Sequence, residues 1–305
     1  MNVKNFIPLS QIAENRRRLI SGILFTLPWI VGLSLFYFYP IVMSFYYSFT
    51  RYSILRAPQY IGGENYVKLV NDPVFWTALY NSAYYVSFAV PVGLIFALSL
   101  ALGLNQKTRG IYLYRTLFYL PVLVPQVCLT FIWMWMLNTR YGLVNNFLAL
   151  FGINGPGWFT SKTWSKPSIV LISQWGVGQA VVIFLAGLQD VPNQLYEAAD
   201  IDGAKAWHKI LHVTIPMVTP IIFLEVITGI IGGLQIFTAP YVLTRGTGAP
   251  AKSLMFYIMY LFRHAFVYFN MGYASTMAWI FFIAVMVLIL LILRSAKWWV
   301  HYERI

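Results

Sequence analysis

The chain has 305 residues, of which 59% are hydrophobic and only 10% are charged, and its mean hydropathy is +0.68. Soluble domains carry roughly 25% charged residues, so this composition excludes a water-soluble globular protein and predicts a membrane protein. The net charge of +12 does not indicate nucleic-acid binding, because the basic residues are scattered between apolar runs. The single Cys128 excludes an intrachain disulfide, and the sequence shows no Cys/His spacing typical of a metal site.

Six apolar runs are long enough to cross a bilayer, which takes about 20 residues. We predict an all-α polytopic fold with helices over residues 20–45, 80–104, 113–137, 168–188, 217–240 and 271–293. The first run is too long for the apolar region of a signal peptide and has no convincing cleavage site, so we expect it to remain as an anchor. No repeat or long linker interrupts the chain, which predicts a single domain over residues 1–305.

The basic residues predict that both chain termini lie in the cytoplasm, because short cytoplasmic segments are enriched in Lys and Arg. This orientation places twelve of the 21 basic residues inside and nine outside. The inner set comprises Lys4, Arg16, Arg17, Arg18, Lys107, Arg109, Arg115, Lys205, Lys209, Arg294, Lys297 and Arg304. The segment between the fourth and fifth predicted helices, residues 189–216, then also faces the cytoplasm.

That cytoplasmic segment is a charged island in an otherwise apolar sequence. Pro192 suits the first turn of a helix, and Gly203 suits its left-handed end. A second short helix is predicted around Trp207, Ile210 and Leu211, which Pro216 ends before the fifth span begins. From the residues alone, a solvated amphipathic loop and a surface that docks a partner are equally compatible with this pattern.

The island closely resembles the EAA loop of permease subunits of binding-protein-dependent ABC importers, and more narrowly their carbohydrate branch. The resemblance rests on Val191-Pro192, Tyr196 to Ala204, Trp207, Ile210, Val213 to Pro216, and Pro220. Weaker matches follow the family order along nearly the whole chain: Leu27-Pro28, Gly32-Leu33, Phe36 and Tyr39-Pro40, Ile61-Gly62, Asn65 to Lys68, Asp72-Pro73, Phe75-Trp76, Arg109-Gly110, Arg115 to Phe118 and Pro121. The first-helix pattern is similar to the maltose/glycerol-phosphate first permease.

The resemblance implies a permease core at about residues 75–295, preceded by a cytoplasmic segment and first helix over residues 1–48. It implies coupling to ATPase subunits through Glu197, Ala198, Ala199, Asp200, Asp202, Gly203 and Ala204. The expected partners are a second homologous permease, two cytoplasmic ATPase subunits, an extracellular solute-binding protein, a sugar and the lipid bilayer. ATP and Mg would bind the ATPase subunits, with no cofactor on this chain, and the assembly would lie in a bacterial cytoplasmic membrane.

One face of the predicted fifth span combines Glu225, Thr228, Gly229, Gly232 and Gln235. Intramembrane acids are candidates for function, yet for Glu225 we favour pairing with a nearby base, or protonation, and simple packing. Gln235 is the better candidate for sugar contact, because hydroxyl-rich ligands need amide donors and acceptors. Further candidates for the same cavity are Gly232, Thr228, Ser173, Gln174, Gln179, Asn270, Tyr273, Ser275 and Thr276.

Two other classes of function stay open. A proton- or cation-coupled secondary transporter would use Glu225, although the inverted repeats or broken helix pairs typical of that class are not visible in the sequence. A membrane enzyme would need a catalytic set of side chains, which the sequence does not show. The segment Gly246–Ser253 nearly matches a phosphate-binding loop, but it lies in a predicted outer loop, so we expect no nucleotide site there.

Overall fold

The computed structural model describes residues 9–106 and 108–301, and the side chains of residues 16–106 and 108–301. Lys4, Lys107 and Arg304, which belong to the predicted inner basic set, lie outside these residues. The inner end of the molecule is defined as the end that carries residues 190–218, and the outer end is the opposite one.

Four helical segments of the described chain are long and apolar enough to cross a membrane without a break. The first, Arg16–Ser48, combines most of α1 (Leu9–Leu33), a π-helical turn (Ser34–Phe38) and α2 (Tyr39–Ser48). The others are α4 (Pro73–Leu104), the segment Thr219–Thr244 and α16 (Met271–Trp299). The segment Thr219–Thr244 is made of α13 (Thr219–Leu234) and α14 (Thr238–Thr244).

The predicted third and fourth spans, 113–137 and 168–188, are not straight helices. The third is α5 (Ile111–Tyr119), a 3-10 turn (Leu120–Leu123) and α6 (Gln126–Met136), with a bend of 98°. The fourth is α8 (Ser165–Ser173), a 3-10 turn (Gln174–Gly176) and α9 (Gly178–Gln189), with a bend of 51°. Val124 is extended because it precedes Pro125, and this ends the helix. The described chain has six spans if each bent pair counts as one.

Shorter elements lie at the two ends of the spans. The outer end carries the antiparallel hairpin of β1 (Thr50–Ser53) and β2 (Arg56–Tyr60), a departure from the all-helical prediction that is confined to nine residues. It also carries α3 (Glu64–Val70), α7 (Leu143–Ala149) and α15 (Tyr257–Phe262). The inner end carries α10 (Asn193–Ile201), α11 (Ala206–Lys209) and α12 (Ile215–Met217).

Helix α4 is the central helix, and it packs mainly against α9 and α13. Small buried side chains such as Ala89, Ala97 and Ala101 allow this close packing. Near the outer end of α4, the buried Asn81 amide donates hydrogen bonds to the carbonyls of Lys252 and Met255, both at 2.9 Å. The loop that follows α14 is therefore fixed to the central helix.

Candidate functional site

The predicted helix in the charged island is present as α10, and it ends at Gly203 as the sequence predicts. Gly203 has a φ of +73°, the left-handed conformation that glycine adopts without strain. The Ala204 N–H donates to the Ala199 carbonyl at 2.9 Å, and the Gly203 N–H donates to the Asp200 carbonyl at 3.0 Å. These two bonds form a Schellman motif, which satisfies carbonyls that the helix end would otherwise leave free.

Two side-chain contacts fold the second half of the island back on α10. The hydroxyls of Tyr196 and Thr214 share a hydrogen bond at 3.0 Å, and Lys209 forms an ion pair with Asp200. The second helix is longer than predicted: α11 continues through a π-helical turn (Ile210–Thr214) into α12, and the break comes at Val218 rather than at Pro216. Pro216 lies in the first turn of α12, where its missing N–H is tolerated.

The outward surface of this helix–turn–helix, which we call the inner surface, combines acidic and large apolar side chains. Ile201 is 88% exposed and Trp207 is 64% exposed. The predicted coupling residues lie around them: Glu197, Ala198, Asp200, Asp202 and Gly203 are exposed, and Ala199 and Ala204 are half-buried. Large apolar side chains beside acids, with no covering element in the part of this chain that the structure describes, are typical of a protein docking surface.

A cavity of about 400 Å³ opens between α4, the fourth span and α13. Gln235 and Gly232 line it, together with Glu225 and Gly229, so one face of α13 points into the cavity as predicted. A second cavity of about 450 Å³ shares Tyr85, Gln126 and Ser173 with the first. A third, of about 340 Å³, shares Glu225 and Gly229 with the first and is also lined by Thr228. Gln179 lines the second and the third. Because they share walls, we treat the three as one cavity, which we call the translocation cavity after the role that the resemblance in the sequence implies for it.

The carboxyl group of Glu225 forms no hydrogen bond or ion pair in the part of the chain that the structure describes. None of the described residues that line the translocation cavity is Lys, Arg or His. The predicted pairing of Glu225 with a neighbouring base is therefore not seen among these residues. The carboxyl group faces the cavity rather than a packed contact.

Asn270 and Tyr273 are not brought to the translocation cavity. They line a separate outer pocket of about 280 Å³, beside the hairpin and α3. Tyr273 is buried, and its hydroxyl donates to Oδ2 of Asp72 at 2.8 Å. Thr276, another candidate, is also buried, and its hydroxyl donates to the Ser48 carbonyl at 3.0 Å. These residues hold α16 against the outer elements.

Asp72 is the centre of this outer polar cluster. Its Oδ1 accepts from the backbone N–H of Val74 at 2.9 Å and caps α4, while its Oδ2 also accepts from the hydroxyl of Tyr260 at 2.5 Å. Burial raises the pKa of Asp72, but the hydrogen bonds from the tyrosines and the backbone outweigh burial and lower it. The arrangement stabilises the ionised carboxylate.

Sequence reasoning missed most of the cavity wall, including Tyr85, Gly93 and Gln126. Tyr85 and Gly93 are contributed by α4, and Gln126 begins α6. Gln126 carries a signal in hindsight, because an amide directly after Pro125 interrupts a run of apolar residues. Tyr85 does not, since tyrosines are frequent throughout the chain.

The segment Gly246–Ser253 does not form a phosphate-binding loop. Helix α14 precedes it, whereas that motif needs a preceding strand. Gly248 packs against Met255, and Ser253 is buried in a hydrogen bond to Ser165 at 2.7 Å. The segment is a folded outer loop.

Comparisons with known proteins agree with this architecture. The family model described as "Binding-protein-dependent transport system inner membrane component" matches residues 89–301. A probable ABC transporter permease protein, YesP of Bacillus subtilis, is 36% identical over 94% of both chains. The lactose transport system permease protein LacF of Rhizobium radiobacter is 36% identical over 91% of this chain and 94% of its own.

A solved structure has the same fold. The chain superposes with a TM-score of 0.80 on a chain of the bacterial alginate ABC transporter in complex with an alginate pentasaccharide-bound periplasmic protein. The two are 22% identical, and the match covers 93% of this chain and 95% of the other. The shared fold therefore extends over almost the whole chain, beyond the range that the family model matches.

Proposed function

The chain belongs to the family of inner membrane components of binding-protein-dependent transport systems, and on that premise we propose that it is one permease half of an ATP-driven sugar importer. It is a multi-pass inner membrane permease and not an enzyme. A self-sufficient secondary transporter is no longer the alternative, because family membership assigns the chain to a multi-component system.

The observation that carries the proposal is the direct link between the inner surface and the translocation cavity. Residues 190–218 connect α9 to α13, and both of these helices line the cavity. Tyr196, Val213 and Met217 pack against the buried cluster that contains Val181, Leu188 and Val218. A partner that moves the inner surface would therefore move two cavity walls together, because packed helices shift as units.

The partners are inferred from this arrangement. Two cytoplasmic ATPase subunits would bind ATP and Mg, and one would dock on Glu197 to Ala204 of this chain. A second, homologous permease would complete the cavity by covering its open side. An external binding protein would deliver the sugar.

A carbohydrate is the substrate class that the cavity supports best. Its wall carries amide and hydroxyl groups from Gln126, Ser173, Gln174, Gln179 and Gln235 beside aromatic rings of Tyr85, Trp133 and Phe237. Such a mixture of polar groups and rings suits a ligand that is rich in hydroxyls but has apolar ring faces. The lactose permease among the relatives is consistent with this assignment.

The test is co-expression of this chain with a second permease, an ATPase and a binding protein of the same transport system, followed by purification and reconstitution in liposomes. We expect ATP hydrolysis to rise several-fold when the sugar-loaded binding protein is added. If the subunits do not copurify, or if no sugar in a panel of mono- and oligosaccharides stimulates hydrolysis, the proposal is wrong.

A further inference from the structure

The translocation cavity has an unusual charge distribution for a wall built by a protein of net charge +12. Its described lining residues include one charged side chain, Glu225, and no base. Glu225 lies on α13, and Thr228 and Gly229 follow it one turn further along the same face. Glu225 is half-buried, and its carboxyl group has no hydrogen-bond or ion-pair partner among the described residues.

The Glu225 carboxylate can accept a hydrogen bond from a sugar hydroxyl or an ammonium group, whereas an ionised carboxylate, sulfonate or phosphate has no proton to donate to it. Because the hydroxyls of an anionic sugar can still donate, discrimination rests on the charge of Glu225. An anion close to Glu225 would also be repelled. At about 6 Å and an effective dielectric constant of about 20, two like charges oppose each other strongly enough to change occupancy by roughly a hundredfold.

We propose that Glu225 is a specificity-determining residue that makes this half of the cavity select neutral and amino sugars over anionic sugars. The inference deepens the proposed sugar-import function and rests on it. It assigns to Glu225 a role in substrate choice rather than in proton coupling.

A reporter cysteine tests the field of Glu225 without any need to know the substrate. In the reconstituted assembly, Cys128→Ser removes the one native thiol of this chain, and Thr228→Cys places a thiol in the cavity one turn from Glu225. The same assembly without Thr228→Cys gives the background labelling. Cationic and anionic methanethiosulfonate reagents are compared by the ratio of their modification rates, normalised to a free thiol. We expect Glu225→Gln to lower the cation-to-anion ratio by on the order of tenfold, less than the unscreened estimate because salt and water screen the charge.

A matched reporter provides the control. Gln235→Cys lies on the same wall but ten residues from Glu225 along α13, about 15 Å away and beyond the Debye length at physiological salt. The cation-to-anion ratio of modification rates at Gln235→Cys should be the same with Glu225 and with Glu225→Gln. An unchanged ratio at Thr228→Cys, or an equal change at both reporters, overturns the inference.

Protection by sugars connects the field to substrate choice. Glucose, glucosamine and glucuronate are each added at one concentration, and the rate at Thr228→Cys is measured with a neutral thiol reagent. We expect glucose and glucosamine to protect and glucuronate not to, with the difference lost in Glu225→Gln. Protection by glucuronate equal to that by glucosamine contradicts the inference. Protection by none of a wider sugar panel contradicts the proposed function instead, while the reagent ratio still decides the charge of the wall.

Discussion

The hydroxyl of Tyr196 lies 3.0 Å from the hydroxyl of Thr214, and this hydrogen bond joins the first inner helix to the segment that leads into α13. Thr214 is buried, and Tyr196 packs against the inner end of the central helix bundle. The contact therefore connects the inner surface to the packed helices that line the translocation cavity.

Tyr196→Phe should weaken this link without unfolding the protein. A hydrogen bond of this kind contributes about 1 kcal/mol, so we expect normal insertion but less sugar uptake per ATP hydrolysed. Thr214→Val removes the same bond and also the hydrogen bond from its hydroxyl to the Lys209 carbonyl at 3.3 Å. We therefore expect at least as large an effect, with the double variant adding little to Thr214→Val alone. The measurement is the amount of sugar taken up per ATP hydrolysed in proteoliposomes. If the losses of the two single variants add up in the double variant, Tyr196 and Thr214 act separately.

Gly203 should tolerate Asn better than Ala. A Cβ at this position meets no atom within 4 Å, so the cost of Ala arises from the φ of +73° and not from a clash. This conformation costs an L-residue about 1–2 kcal/mol, and Asn adopts it more readily than Ala. We expect transport in the order Gly, Asn, Ala, with Gly203→Asp losing it through the added charge at the docking surface. Equal transport by the Ala and Gly proteins would contradict the assigned role of the turn.

Gly178→Ala should destabilise the contact between the two bent spans. A Cβ on Gly178 would lie 2.6 Å from the carbonyl oxygen of Phe118, a backbone atom that cannot rotate away. Overpacking of this kind costs roughly 1–3 kcal/mol, so we expect a lower unfolding temperature in detergent. Gly176→Ala, two residues earlier, is the matched control because its Cβ would meet nothing within 4 Å. Equal unfolding temperatures for Gly178→Ala and Gly176→Ala would contradict the close approach of Gly178 to Phe118.

The outer cluster should make stability depend on pH. Burial lowers the pKa of His264 to about 4, with smaller contributions from Asp72, which raises it, and from Lys68 and Arg263, which lower it. As the pH falls, His264 is therefore protonated near pH 6.5 in the unfolded chain but only near pH 4 in the folded chain. Stability should therefore fall as the pH drops through this window.

His264→Phe removes this titration while it keeps an aromatic ring beside Tyr260 and Tyr273. Thermal unfolding between about pH 7 and pH 4.5 should show a smaller loss of stability in the variant than in the native protein. His301→Phe, the same substitution at an exposed histidine, provides the matched control. Parallel curves for the native and His264→Phe proteins would exclude the buried imidazole as the cause.

The sequence predicted the features that depend on local chemistry. Apolar length located the spans, and Gly203 marked the end of α10 because a left-handed residue is needed there. The face of α13 with Glu225, Gly229, Gly232 and Gln235 was predicted from helical periodicity. Each of these features is determined by residues that lie within a few helical turns of one another in the sequence.

Features that depend on distant packing were not predicted. Pro125 marks the break in the third span locally, but the close approach of Gly178 to the Phe118 carbonyl depends on where both bent spans lie. Asn270 and Tyr273 were placed in the wrong cavity, because their depth along α16 did not reveal that Asp72, some 200 positions earlier in the chain, holds Tyr273. The isolation of Glu225 from bases likewise requires the positions of several helices.

The most direct test of the coupling claim measures ATP hydrolysis and sugar uptake together in proteoliposomes that hold the full assembly, with native chain or Glu197→Lys. Glu64→Lys, the same charge change at an exposed glutamate of the outer end, is the control. We predict that Glu197→Lys inserts and assembles but takes up no sugar in response to ATP, whereas Glu64→Lys retains ATP-driven uptake. Normal uptake by Glu197→Lys at normal expression would contradict the claim that ATPase movement enters the membrane through the inner surface.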